Sequence, residues 1–214
     1  MAALVASDEP GLQNRYFAVR HGQAESNVQK IIVSNPAIGA DAYGLTDLGM
    51  EQAKQAGGKL KALLSPNCAE VVMISSRFKR ARHTAEIIHG LLGCAQPLEI
   101  DDLLNERGFG SYDLKDSSIV HETWKNDATD AVTTQHGIES VMNVLMRTSK
   151  LVKQLEDTYA NKNIILVSHG DPLRILLTMF THVDPGQHGS IRHFDNAEIR
   201  ELTDPNILDT CSNK

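Results

Sequence analysis

Two histidines of this chain each follow a short apolar run and each precede a glycine. Phe17-Ala18-Val19 runs into Arg20-His21-Gly22, and Asn163-Ile164-Ile165-Leu166-Val167 runs into Ser168-His169-Gly170. A third run, Val71-Val72-Met73-Ile74, leads into Ser75-Ser76-Arg77 and then Arg80. If these runs are neighbouring parallel strands, their carboxyl ends bring two imidazoles and two guanidiniums, Arg20 and Arg80, into one crevice. Such a set is an oxyanion receptor. Arginine's planar fork suits bidentate contact with phosphate oxygens and stays charged at any working pH. Gly22 and Gly170 would let backbone N–H groups approach the anion, and a helix opening near Asp171 would add its positive end. Asn27 would supply a neutral donor from the start of a first helix.

Histidine can do more than donate. A neutral imidazole is a nucleophile, and attack by His21 on phosphorus would give a phosphohistidine that water later cleaves. The phosphoryl oxygens then need neutralising, a role suited to the arginines and a protonated His169. A leaving alkoxide needs a proton. Glu106, in Leu104-Asn105-Glu106-Arg107-Gly108-Phe109-Gly110, would have a raised pKa if partly desolvated beside the pocket. It would then serve as general acid and afterwards as base for water.

The elements that position these groups follow from apolar spacing. Strands are expected at Arg15–Val19, Glu70–Ile74, Pro97–Ile100 and Asn163–Val167, with a last one inside Ile191–Leu202. Helices are expected at Thr46–Leu64, where Leu48, Ala53, Ala56, Leu60 and Leu63 recur at helical spacing behind a Thr46 cap, and at Lys79–Leu92. Two more are expected at Ile138–Tyr159 and at Asp171–Thr181, with Pro172 in the first turn. Gly57-Gly58 weakens the first of these. Asp101 to Asn126 is polar and irregular. Alternating strands and helices define an α/β fold: a single three-layer domain with a mostly parallel central sheet and helices on both faces. Its ligand site belongs at the carboxyl ends of the strands. The expected domain spans 15–203, with 101–136 as an active-site insertion and flexible tails at 1–14 and 204–214.

Composition narrows the function. The chain has 214 residues, 41% hydrophobic and 22% charged, and a net charge of −6. An acidic protein has no general field for nucleic acid or anionic membrane, so a phosphate must be met by a few basic groups focused in a pocket. No apolar run approaches the ~20 residues of a membrane span, and MAALVASDEPG has no charged leader, so no secretory signal is expected. Cys68, Cys94 and Cys211 are distant and odd in number, which implies free thiols in a reducing, cytoplasmic compartment. His182, His188 and His193 fit no compact zinc pattern and are expected as surface histidines of a loop; no metal site is expected. Arg77, Arg82 and Arg107 are expected as a solvated rim, from which one could reach a substrate's second anionic group, and Trp124 as an anchor of the insertion rather than a stacking surface for a ligand. Oligomeric state has no signature here.

The residues also carry a resemblance. The chain resembles members of the histidine phosphatase superfamily, also called phosphoglycerate mutase-like, from Phe17 to about Leu202. The matching segments come in the family's order. They are Arg20-His21-Gly22, Leu45 to Ala53, Ser75 to Ala85, Leu104 to Gly110, Gly137-Ile138-Glu139-Ser140 with one residue inserted, and Ser168-His169-Gly170. The resemblance implies that His21 is the phosphorylated nucleophile and Glu106 the proton donor. It implies that Arg20, Arg80 and His169 hold the phosphoryl group with Asn27 as a further contact, and that no metal or organic cofactor takes part. Ala24, Ser26 and Asp113-Leu114 depart from the family pattern and bear on substrate fit. The expected activity is hydrolysis of a small phosphorylated metabolite, with that ester and inorganic phosphate as the small-molecule partners. A mutase-type phosphoryl transfer and a catalytically silent phospho-ligand binding module are the alternatives.

Overall fold

A computed structural model describes residues 11–132 and 135–211. In chain order the elements are β1 (Arg15–Arg20), α1 (Glu25–Gln29), α2 (Pro36–Gly39), α3 (Asp47–Leu64), β2 (Val71–Ser75) and α4 (Lys79–Leu92). They continue with β3 (Glu99–Ile100), α5 (Ile119–Asp127), α6 (Val141–Thr158), β4 (Asn163–Ser168), α7 (Gly170–Thr181), β5 (Ile199–Glu201) and α8 (Ile207–Cys211). The sheet order is β3-β2-β4-β1-β5. β1, β2, β3 and β4 run parallel, and β5 is antiparallel to β1.

Alternation along each strand feeds two cores. Tyr16, Ala18, Val72, Ile74, Ile164 and Leu166 face one way, onto Leu151, Val152 and Leu155 of α6 and Leu173, Leu176 and Leu177 of α7. Phe17, Val19, Val71, Met73, Ile165 and Val167 face the other way, onto Ala56, Leu60 and Leu64 of α3 and Ala81, Ala85, Ile88 and Leu92 of α4. The central strands are therefore apolar on both faces, as a sheet covered by helices on both sides requires. This is the expected three-layer α/β fold.

The expected elements form, with corrections. In α3, Leu48 and Leu63 are 53% and 54% exposed rather than facing the core. The buried stripe is Gly49, Ala53, Ala56, Gly57, Leu60 and Leu64. Its small residues bring α4 close: a Cβ on Gly57 would lie 2.8 Å from Leu91 Cδ1. Gly57 thus serves helix packing, Gly58 faces open space, and the pair does not end the helix. α6 begins at Val141 rather than Ile138, because the Ser140 side chain accepts from Asn143 N and caps it. The last strand shrinks to three residues, Ile199–Glu201. The 101–136 segment is less irregular than its polarity implies, since it contains α5. Residues 1–10 of the expected tail lie outside the described residues. Asn14, expected within that tail, is buried, and its amide donates to Glu156 Oε1 and to the Tyr159 carbonyl, both at 2.7 Å. At the other end Ile207 is buried in the α6–α7 core.

What matters for function is the level at which strands end. Arg20 pairs with Ser168, and Ser75 with Val167. His21 N–H donates to the Ser168 carbonyl at 3.0 Å, and Ser76 N–H to the Val167 carbonyl at 2.9 Å. The three chains therefore leave the sheet together.

The turn after β1 packs tightly on the start of α3: a Cβ on Gly49 would overlap the Gln23 carbonyl, and one on Gly22 the Gly49 carbonyl. Gly49→Ala is expected to cost about 1–3 kcal/mol through overpacking. Gly58→Ala in the same helix meets nothing within 4 Å and is expected to stabilise by about 0.5–1 kcal/mol. Urea unfolding of the two variants checks the contrast, and equal effects would contradict the packing account.

Candidate active site

His21 lies immediately beyond β1, buried. Its Nδ1 is 2.7 Å from the Gly22 carbonyl, and Arg80 Nε–H donates to its Nε2 at 3.1 Å. A carbonyl only accepts, so Nδ1 carries the proton and Nε2 the lone pair. Burial, then Arg80 and Arg20, hold the imidazole pKa well below 6.5. His21 is neutral at neutral pH with its nucleophilic nitrogen turned toward the guanidinium.

Arg80 comes from the first turn of α4, which follows β2, two strands over from β1, and is buried. Its Nη2 donates to the Val33 carbonyl at 3.0 Å and lies 3.6 Å from Glu106 Oε2. Burial lowers its pKa to about 10, so it stays charged. Arg20 Nη1 donates to the Phe194 carbonyl at 2.6 Å. His169, the N-cap of α7, sits edge-on to His21 with ring centroids 5.2 Å apart.

Glu106 joins the cluster: Oε2 is 3.6 Å from both Arg80 Nη2 and His169 Nδ1. Its side chain is 17% exposed. Burial raises its pKa to about 7 against the pull of Arg80. It is thus a carboxyl that can hold a proton at neutral pH.

Among the described residues, buried side-chain atoms without a hydrogen-bond partner include Arg20 Nε, Arg80 Nη1 and His169 Nδ1. All three belong to side chains clustered around His21. Buried donors are rarely left unpaired in proteins, and the two guanidinium donors, Arg20 Nε and Arg80 Nη1, beside one imidazole mark a place built to receive an anion. α7 adds its N-terminus there with no side chain capping its first turn.

A cavity of about 280 Å³ opens on this cluster, lined by Arg20, His21, Asn27, Arg80, Glu106 and Gly170 among others. Asn27 Oδ1 accepts from Ala24 N–H at 2.9 Å, which fixes the amide and leaves its Nδ2 as the donor group. Every site residue expected from the sequence is therefore in one place.

Several expectations need correction. Gly22 N–H donates to Thr84 Oγ1 at 3.0 Å and is not available to an anion; the glycine is required by the close approach of Gly49. His169 is not protonated in the free protein: burial, then Arg80 and His21, hold its pKa well below 6.5. Its Nε2–H donates to Ser76 Oγ at 2.9 Å, and that hydroxyl donates to Asn105 Oδ1 at 3.0 Å. Nδ1 is thus the nitrogen left bare, facing Glu106. Arg107 is not a rim residue: it is buried, paired with both Asp127 oxygens at 2.7 and 2.8 Å. His188 is buried against Asp127 at 3.0 Å, and His193 lines the cavity. Arg77 does lie at the surface, paired with Asp102.

Ser76 and Asn105 carry no site reading from the sequence, Asp171 is read there only as the opening of a helix, and His193 only as a surface histidine. Asp171 is buried in the first turn of α7 between Arg107 (3.6 Å) and Arg174 (3.4 Å). Burial pushes its carboxyl up, but these arginines prevail and hold it at about 2. Trp124 Nε1–H donates to Asp171 at 3.0 and 3.1 Å, and the Arg174 guanidinium lies 3.8 Å from the Trp124 ring centroid. Trp124 thus anchors α5, as expected, and also lines the cavity. No group of three or more His, Cys, Asp or Glu placed to hold a metal occurs among the described residues. No helix among them is long and apolar enough to cross a membrane.

A central parallel sheet with an imidazole and guanidinium cluster at its strand ends is the architecture of a phosphoryl-handling α/β protein. The family model of the histidine phosphatase superfamily (branch 1) matches residues 16–205, and the chain belongs to that superfamily. A relative named 2,3-bisphosphoglycerate-dependent phosphoglycerate mutase from Cytophaga hutchinsonii is 29% identical over 192 residues, covering 84% of this chain and 81% of its own length. An uncharacterized phosphatase of Bacillus subtilis is 28% identical over 167 residues, covering 78% and 77%. Among solved structures, a mycobacterial glucosyl-3-phosphoglycerate phosphatase aligns with a TM-score of 0.72 at 24% identity, covering 87% of this chain and 91% of that one. At that identity the likeness speaks for the fold.

An anion that fills the cluster stabilises only the folded state. Orthovanadate at one hundred times its Kd is expected to add about 2.7 kcal/mol, read as a rise of roughly 2–4 °C in Tm per kcal/mol for a chain of this size. Arg80→Ala and Arg20→Ala are expected to lose most of that rise. An undiminished rise in both variants would place the anion elsewhere.

Proposed function

We propose that this protein is a phosphomonoesterase that hydrolyses a small phosphorylated metabolite through a phosphohistidine on His21. One observation carries the reading: a buried, neutral imidazole whose tautomer is fixed by the Gly22 carbonyl turns its Nε2 onto Arg80 Nε–H, beside the unpartnered donors Arg20 Nε and Arg80 Nη1. The ester's phosphoryl oxygens take the donors of Arg20 and Arg80, with Asn27 and the Gly170 end of α7 beside them. His21 Nε2 attacks phosphorus and the P–O bond to the leaving group breaks. The Glu106 carboxyl gives its proton to the departing oxygen. The resulting carboxylate takes a proton from water, whose oxygen attacks phosphorus and releases His21 and inorganic phosphate. The pKa of about 7 on Glu106 suits both halves of this cycle.

His169 fits the scheme as a partner of Glu106. Its bare Nδ1 faces Oε2 at 3.6 Å and stays neutral, so the carboxyl keeps the proton that it gives to the departing oxygen.

The second reading is phosphoryl transfer back to substrate, favoured by relatives at 27–29% identity named 2,3-bisphosphoglycerate-dependent phosphoglycerate mutase. Hydrolysis and mutase action separate when 3-phosphoglycerate is offered and 2-phosphoglycerate is measured against free phosphate.

His21→Ala is expected to lower kcat for p-nitrophenyl phosphate by roughly a thousandfold or more; unchanged turnover would sink the proposal. Glu106→Gln is expected to lose roughly 10²–10⁴ in rate on an alkyl phosphate. The protonated carboxyl is the working form, so wild-type kcat/KM falls as pH rises above about 7. His21, already neutral, adds no acid limb until well below pH 6.5. Taking the ratio of wild type to Glu106→Gln at each pH cancels the ionisation of the substrate. A ratio that is flat across pH 6–9 would remove Glu106 from the acid role.

A further inference from the structure

The cavity wall beyond the anion cluster has a particular chemistry. It is made by Ile31, Ile32, Phe109, Val120 and Trp124, with Ser117, His121 and His193 among them. Among the described residues, the Lys and Arg side chains lining the cavity are Arg20 and Arg80, and both stand at His21. The other buried cations nearby face acidic partners: Arg107 is held by Asp127, and Arg174 by Asp171 through Nη2 and by the Trp124 ring, with its Nε left without a hydrogen-bond partner. His193 also adds no charge, since burial, then Arg20 and Arg174, lower its pKa to about 4. Asp171, the acidic residue of this wall, is itself paired with Arg107, Arg174 and the Trp124 N–H, so the wall offers a second anion on the ligand no free partner of opposite charge. Burying an unpaired charge is far more costly than burying an apolar group.

Resting on the reading of the cluster as a phosphoryl site, we infer that the ester's leaving group is uncharged and presents an apolar or aromatic face to Ile31, Val120 and Trp124. Esters with a carboxylate or second phosphate on the leaving group are disfavoured substrates. α5 sets this preference, because it supplies Val120, His121 and Trp124. It is held in place by the Trp124–Asp171 and Asp127–Arg107 bonds.

Binding of two phosphonates by the wild-type protein tests this, since a P–C bond cannot be hydrolysed. Titration calorimetry is expected to give phenylphosphonate a Kd at least tenfold below that of phosphonoacetate. Val120→Arg, which places a cation on the wall at a partly exposed helix position, is expected to shrink or invert that ratio. Equal affinities in the wild type, or tighter phosphonoacetate, overturn the inference. Phenyl phosphate turnover, measured alongside, separates the two readings. Preferential phenylphosphonate binding without turnover sustains this inference and defeats the hydrolase. Turnover combined with tighter phosphonoacetate defeats this inference alone. Binding of neither probe defeats both.

Discussion

The constraint on which the rest depends is the parallel register of β1, β4 and β2. Arg20 stands opposite Ser168 and Ser75 opposite Val167, so three chains leave the sheet at one level. A one-residue slip would turn every side chain of a strand to the opposite face. Here that would also carry His21 or His169 out of the crevice and break the two apolar cores. The cores and the site are therefore selected together: the side-chain alternation that buries Phe17 and Val19 on one face and Tyr16 and Ala18 on the other also fixes where His21 emerges.

The cluster those strands deliver is electrostatically unfavourable in the empty protein. Two guanidiniums and two imidazoles are withdrawn from water with a single carboxylate, Glu106, at 3.6 Å from two of them. The pKa directions record the cost: both histidines are driven neutral, Arg80 is lowered, and Glu106 is raised. The fold tolerates this because bonds that do not involve the anion hold each group: Gly22 and Arg80 for His21, Val33 for Arg80, Phe194 for Arg20, Ser76 and Asn105 for His169. Donors held in this way need not reorganise when charge arrives, which is the condition for strong electrostatic stabilisation. The imbalance in the free protein and the affinity proposed for a phosphoryl group have one cause.

Much of this was legible in the sequence. Continuous apolar runs ending in Arg20-His21-Gly22 and Ser168-His169-Gly170 give both the strands and the cluster. Helical spacing gives α4 to the residue. What stayed hidden has a common character. Arg107 and His188 look like solvated residues because their shared partner Asp127 lies far away in sequence: Arg107 and Asp127 are twenty residues apart, and His188 and Asp127 sixty-one. Nothing local marks a charge that is neutralised only by tertiary contact. Leu48 and Leu63 misled in the opposite way. Their spacing is helical, but the face that packs is set by glycines and alanines, whose value is close approach rather than hydrophobicity.

That hidden network also gives the 101–136 segment its role. Arg107 follows Glu106 directly, and its guanidinium is clamped by both oxygens of Asp127 at the end of α5 and lies near Asp171 at the start of α7. Trp124, one turn earlier on α5, donates to the same Asp171. The backbone that carries the acid, the helix that lines the far wall and the helix whose N-terminus faces the anion are thus tied by one set of buried charges. Breaking such a set by removing one partner costs about 3–5 kcal/mol, which makes a freely mobile lid incompatible with an intact network. The pocket's selectivity follows from its rigidity: with α5 held, the wall cannot bring a new cation to a charged leaving group, and the phosphoryl group is the one anion the site is built to meet.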